Sequence, residues 1–75
     1  MTEEMLQIAD KVRGVAAEKR LTQAQIAKII GKDRKSVSAR FSGQIPFSAS
    51  EVWTLSVSLD EDIRKFFPDR LANAA

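Results

Sequence analysis

The sequence predicts an all-α fold, a compact bundle of about five short helices with a helix-turn-helix at its centre. Three observations carry this expectation. Apolar residues recur three and four apart through most of the chain, as on one face of a helix. Two capping boxes, Thr22-x-x-Gln25 and Ser48-x-x-Glu51, each open an apolar run. Gly31 and Gly43 fall where two of the runs stop. At 75 residues the chain holds one domain, expected over residues 1–67, with a short tail at 68–75.

In chain order, Thr2 to about Glu18 reads as the first helix. Met5, Ile8, Val12, Val15 and Ala16 make one apolar stripe. Thr2 suits the N-cap, and Glu3 and Glu4 suit the positive end of the helix dipole. Gly14 weakens this helix by about 1 kcal/mol relative to Ala. The second helix starts at the Thr22–Gln25 box, with Leu21 and Ile26 as a hydrophobic staple, and runs to Ile30. Ile26 and Ile30 face the core, Ala27 is small enough for a close helix crossing, and Gly31 provides a left-handed cap. Asp33 caps the third helix, Arg34 to about Phe41. Val37 and Phe41 are four apart and share its buried face, which turns Arg34, Lys35, Ser38, Ala39 and Ser42 elsewhere. After the loop Gln44-Ile45-Pro46, the Ser48–Glu51 box and the Phe47/Val52 staple start a fourth helix with a Val52, Leu55, Ser56, Leu59 stripe. Trp53 lies beside that stripe and is expected to be half-buried. The Thr54, Ser56, Val57 and Ser58 content leaves a strand as the alternative there. Asp60-Glu61-Asp62 opens a last short helix carrying Ile63, Phe66 and Phe67, which Pro68 stops. Residues 69–75 read as a frayed tail. Phe66, Phe67 and Leu71 suit either core or dimer contacts.

The net charge of +2 hides an asymmetry. Residues 11–40 hold nine basic side chains against two acidic ones, or +7, while residues 1–10 carry −3 and residues 41–75 carry −2. A basic middle between acidic ends suits a polyanion on one face, although a solvated lysine-rich surface has the same composition. With no Cys and no His, disulfides, thiolate zinc sites and Cys or His catalysis are excluded. No glycine-rich phosphate loop is present, and helix capping explains where the carboxylates sit, so an enzyme is a poor reading and no cofactor, metal or small-molecule ligand is expected. No apolar run approaches the roughly 20 residues of a membrane span, and the acidic MTEEMLQ start is not a signal peptide. Absence of Cys suits the cytoplasm. The initial Met and the Ala-Asn-Ala-Ala end suit a complete small protein, although a piece of a longer one is the alternative.

The segment LTQAQIAKIIGKDRKSVSARFSG resembles the helix-turn-helix of the lambda-repressor-like family, which holds phage repressors, Cro proteins and many bacterial regulators. The matching residues are Gln23, Ala27 and Gly31 four apart, Val37, and the closing Phe41-Ser42-Gly43. Pro46-Phe47 and Glu51 look like the fourth-helix start of actinobacterial and actinophage members. The resemblance covers about residues 5–67. It implies a sequence-specific double-stranded DNA-binding regulator of the phage Cro or repressor type, acting in the bacterial cytoplasm by occupying operator DNA. It also implies a homodimer, at least on DNA, reading a palindromic operator. By position, Arg34, Lys35 and Ser38 would contact bases. Gln23, Lys32, Arg40, Ser42 and Gln44 would contact the DNA backbone.

Two positions depart from the family pattern. Lys32 and Arg40 stand where apolar residues are usual. Arg40 either lays its stem on the core and reaches a phosphate, or marks a helix register off by one. Arg34 replaces a usual Gln and would favour guanine, whose O6 and N7 match a guanidinium. A protein-interaction module on the same fold, an antitoxin or antirepressor, is the rival reading.

Overall fold

The computed structural model describes residues 2–68, which form four α-helices and one 3₁₀ turn, with no strand among them. Helix α1 spans Glu3–Glu18, α2 Gln23–Ile30, α3 Arg34–Phe41 and α4 Ala49–Ser58, and the 3₁₀ turn covers Ile63–Phe66. The tail 69–75, with Leu71, lies outside the described residues. The strand alternative at Thr54, Ser56, Val57 and Ser58 is overturned, since all four lie in α4. The last expected helix is corrected to a single 3₁₀ turn. Its physical cause is Pro68, which restricts the residue before it to extended backbone. Phe67 accordingly sits at φ −109° and ψ 153°, leaving only four residues to coil after the Asp62 cap.

Helix starts follow from side chains that satisfy first-turn N–H groups lacking an intrahelical acceptor. The Thr2 hydroxyl accepts from the Met5 N–H at 3.3 Å. Thr22 and Gln25 bond reciprocally, the Gln25 N–H to the hydroxyl at 3.1 Å and the Thr22 N–H to the amide oxygen at 2.8 Å. The Asp33 carboxylate accepts from the Ser36 N–H at 2.8 Å. Ser48 and Glu51 repeat the reciprocal pair at 3.0 and 3.1 Å.

Three of the four helix ends share one device. At α1, the Leu21 N–H bonds the Ala16 carbonyl at 2.8 Å and the Arg20 N–H bonds Ala17 at 3.1 Å. The same nested pair closes α3 through Gln44 and Gly43, and α4 through Glu61 and Asp60. This geometry requires a left-handed residue just past the cap. Gly43 supplies it at φ +87°, where a side chain would be strained; the only close neighbour of a Cβ there is the tip of the exposed Leu6 side chain, which can move aside. Arg20 adopts φ +57° with a side chain, at a steric cost. Arg20→Gly should therefore raise the unfolding free energy by about 0.5–1 kcal/mol, read as a higher urea midpoint at constant m-value. A lower midpoint would show that the Arg20 side chain contributes more than its backbone strain costs.

Phe66, Ile26, Leu55, Val12, Val37 and Val52 form the fully buried centre. Helix α1 packs on α3 and the 3₁₀ turn, while α2 packs on α3 and α4. Lys65 reaches Glu18 at 2.8 Å, and Lys19 reaches Glu61 at 3.0 Å, joining the end of α1 to the segment that carries Phe66. Phe66 is core and Phe67 packs against it, and Pro68 is itself buried. Two burial expectations are corrected. Met5 is 39% exposed and Ala9 takes its place in the buried stripe, because periodicity defines a face but not how far neighbouring elements extend along it. Trp53 is 60% exposed because Val52, Leu55 and Ser56 occupy the inward face of α4. No helix among the described residues is long and apolar enough to cross a membrane.

Candidate nucleic-acid interface

Helix α3 divides its side chains by chemistry. Val37 is completely buried, and Phe41 is half-buried against the core and beside Phe47, with ring centroids 6.1 Å apart. These two anchors rotate α3 so that Arg34, Lys35 and Ser38 are exposed. At 100° per residue Arg34, Ser38, Ser42 and Lys35 fall on one strip of the helix, in that angular order. The Asp33 cap sits at the foot of this strip. Its carboxyl is held below its ordinary range, first by the Ser36 backbone N–H and then by the Ser36 hydroxyl.

Arg40 departs from expectation. Its residue is only 9% exposed and its guanidinium is fully engaged inside the protein. Nε donates to Glu51 Oε1 at 2.9 Å, one terminal nitrogen donates to Glu51 Oε2 at 2.9 Å, and the other donates to the Ser36 carbonyl at 3.0 Å. The helix register is the expected one. Arg40 was expected to reach the DNA backbone; without DNA its charge is neutralised by a carboxylate, and its donors point toward α4 and back along α3. Burial pushes the Glu51 carboxyl up. The Arg40 hydrogen bonds, the Ser48 N–H and the nearby charges of Arg40 and Lys32 outweigh that and bring it below its ordinary 4.5. No buried side-chain nitrogen or oxygen among the described residues lacks a partner.

The other named residues surround the strip. Lys32 is exposed in the turn between α2 and α3, and Gln23 is half-buried at the first position of α2. Ser42 is exposed at the C-cap of α3 and its hydroxyl donates to the Ala39 carbonyl at 3.1 Å, so it must rotate before it can donate elsewhere. The Gln44 backbone N–H bonds Ala39, leaving its side chain exposed in the following loop.

Two side chains that hold α3 in place are not evident from the sequence. Glu51 was seen only as a cap, yet the same carboxylate holds Arg40. Arg13 on α1 donates to the carbonyl of Phe41, the last residue of α3, and also to Asp10. A cation there favours the negative end of the helix dipole. The signal for Glu51 was present, since an Arg in an apolar slot needs a buried acid. Arg13 gave none, because its acceptor lies 28 residues away. Comparison with protein-family models, curated proteins and solved structures returns no match to this chain.

Proposed function

We propose that this protein is a sequence-specific double-stranded DNA-binding regulator, with α2 and α3 as its helix-turn-helix and α3 as the recognition helix. It acts as a homodimer on a palindromic operator and represses by occupying it. The observation that carries this reading is the exposed Arg34–Ser38–Lys35 strip on α3, backed by Val37 and the Arg40–Glu51 pair. A short helix that is basic outward and anchored inward suits the major groove, whose width admits one helix and whose floor displays base edges. The +7 charge of residues 11–40 supplies the attraction to phosphate, and Lys32 and Gln23 flank the strip as backbone contacts. Ser42 and Gln44 serve the same role at the far end of α3.

The test is a selection of bound sequences from a random duplex pool, followed by competition between the recovered site and random DNA. Arg34→Ala should cut the discrimination by about 1–3 kcal/mol, or about 5- to 150-fold, while nonspecific affinity changes little. Equal losses on both duplexes would assign Arg34 to phosphate rather than to a base. Absence of any duplex binding at low salt would favour the protein-interaction module instead.

A further inference from the structure

Of the three helices that end in the nested pair, α3 alone has its last carbonyl held from another helix. The last four carbonyls of a helix have no intrahelical donor. In α3 the following chain serves three of them: the Ser42 N–H donates to Ser38, the Gln44 N–H to Ala39 and the Gly43 N–H to Arg40. The fourth, on Phe41, accepts from one terminal nitrogen of Arg13 on α1, whose other terminal nitrogen donates to Asp10. Among the described residues no donor reaches the matching carbonyls of Glu18 in α1 and Ser58 in α4. Leu6, Asp10 and Arg13 are spaced four and three apart, so they share one face of α1. The tip of Leu6 lies beside Gly43, so this face braces both the end of α3 and the turn that follows it.

We propose that Arg13 is a positioning residue for base reading, which fixes the far end of α3 so that Ser38 meets its base. The inference rests on α3 being the recognition helix. Different elements secure the two ends of α3. The Asp33 cap holds the first turn, and the Lys32 N–H bond to the Ala27 carbonyl holds the turn before it, and Arg13 touches neither. The last turn is held by Arg13 from α1 and by Glu51 of α4 through Arg40. Removing the Arg13 side chain leaves the Phe41 carbonyl without its donor and takes a cation from the negative end of the helix dipole. Arg34 stands at the end that stays secured. Ser38 lies about 6 Å further along the axis, so a tilt that pivots on the first turn displaces it more. Asp10 pairs with the charge of Arg13, which therefore acts through α3 and not on the DNA itself.

The experiment compares the wild type with Arg13→Ala, Arg13→Lys and Arg64→Ala. Arg64 is an exposed arginine paired with Asp62 and controls for the loss of one charge. Without DNA, amide hydrogen exchange of Ser42, Gly43 and Gln44 should quicken about fivefold in Arg13→Ala, the worth of one cation at a helix C-terminus, while Ser36 and Val37 exchange as before. In selections from a random duplex pool, Ser38→Ala and Arg34→Ala mark the base pairs that each side chain reads. Arg13→Ala should lose about fivefold of the discrimination at the Ser38 positions and keep that at the Arg34 positions. Arg13→Lys keeps a cation that can donate to Phe41 and should restore both readouts, and Arg64→Ala should match the wild type. Unchanged exchange, or a loss of discrimination spread evenly over the site, overturns the proposal. So does a slope of log affinity against log salt that Arg13→Ala flattens by about 0.9 per protomer, which would make Arg13 a phosphate contact. A wild type that binds no duplex, with exchange as expected, sinks the DNA reading and the role in discrimination with it. A wild type whose selected motif survives intact in Arg13→Ala sinks the positioning role alone.

Discussion

Glu51→Ala should lower the unfolding free energy by about 3 kcal/mol, a large part of the roughly 5–15 kcal/mol that holds a small domain together. The substitution removes both carboxylate oxygens that Arg40 bonds at 2.9 Å and leaves a guanidinium charge in a site 10% exposed. It also removes the oxygen that the Ser48 N–H uses, a cap worth about 1 kcal/mol. The attraction within a buried pair mostly offsets the desolvation of its two members, so the loss comes mainly from stranding one of them. Replacing both, as Arg40→Met with Glu51→Leu, should therefore recover most of the stability and leave only the cap deficit. A urea double-mutant cycle measures the coupling directly. If the double variant is as unstable as Glu51→Ala, the pair is not what makes Glu51 costly to lose.

The same pair contributes to the acid response. A carboxyl whose folded pKa lies below its ordinary 4.5 stabilises the fold fully above that value and loses its contribution as pH falls through the folded pKa. Asp62, lowered to about 2 by the Arg64 guanidinium and N–H, acts in the same direction. The urea midpoint of the wild type should fall from about pH 4.5 toward pH 2, and the doubly substituted variant should fall less over that window.

What was legible in the sequence divides by reach along the chain. The two capping boxes, the Asp33 cap and the Gly31 and Gly43 turns are interactions within three to five residues, and spacing alone predicts them. The inward anchoring of Val37 and the outward turn of Arg34, Lys35 and Ser38 followed from the same local periodicity. Arg40 did not, because its partner lies 11 residues away across the α3–α4 loop, and periodicity cannot tell an apolar slot filled by Arg from a frame error. Met5 and Trp53 were misplaced for a related reason: the extent of burial along and around a helix depends on which other elements reach it. The 3₁₀ turn was written in Pro68, whose effect on Phe67 shortens what the acidic start at Asp60-Glu61-Asp62 suggests.

On the proposed DNA-binding reading, the Arg40–Glu51 pair also bears on how salt should act on DNA affinity. A cation neutralised by a carboxylate releases no counterion from DNA, so Arg40 drops out, and with Arg34 and Lys35 on base edges the phosphate-neutralising cation beside the α3 strip is Lys32. One such cation gives a slope of log affinity against log salt near −0.9 per protomer, or near −1.8 for a pair on a palindrome. Between about 50 and about 200 mM salt, affinity for the two-half-site duplex should then fall by about tenfold. Lys32→Ala should flatten the slope by about 0.9 per protomer. Arg40→Met with Glu51→Leu, which removes one charge of each sign inside the protein, should leave it unchanged. Fluorescence anisotropy over a salt series distinguishes these outcomes, because the slope reports ions released and is insensitive to a uniform loss of folded protein. If the double substitution flattens the slope as Lys32→Ala does, Arg40 must leave Glu51 for a phosphate in the complex, and α3 then docks with its α4 side facing the DNA.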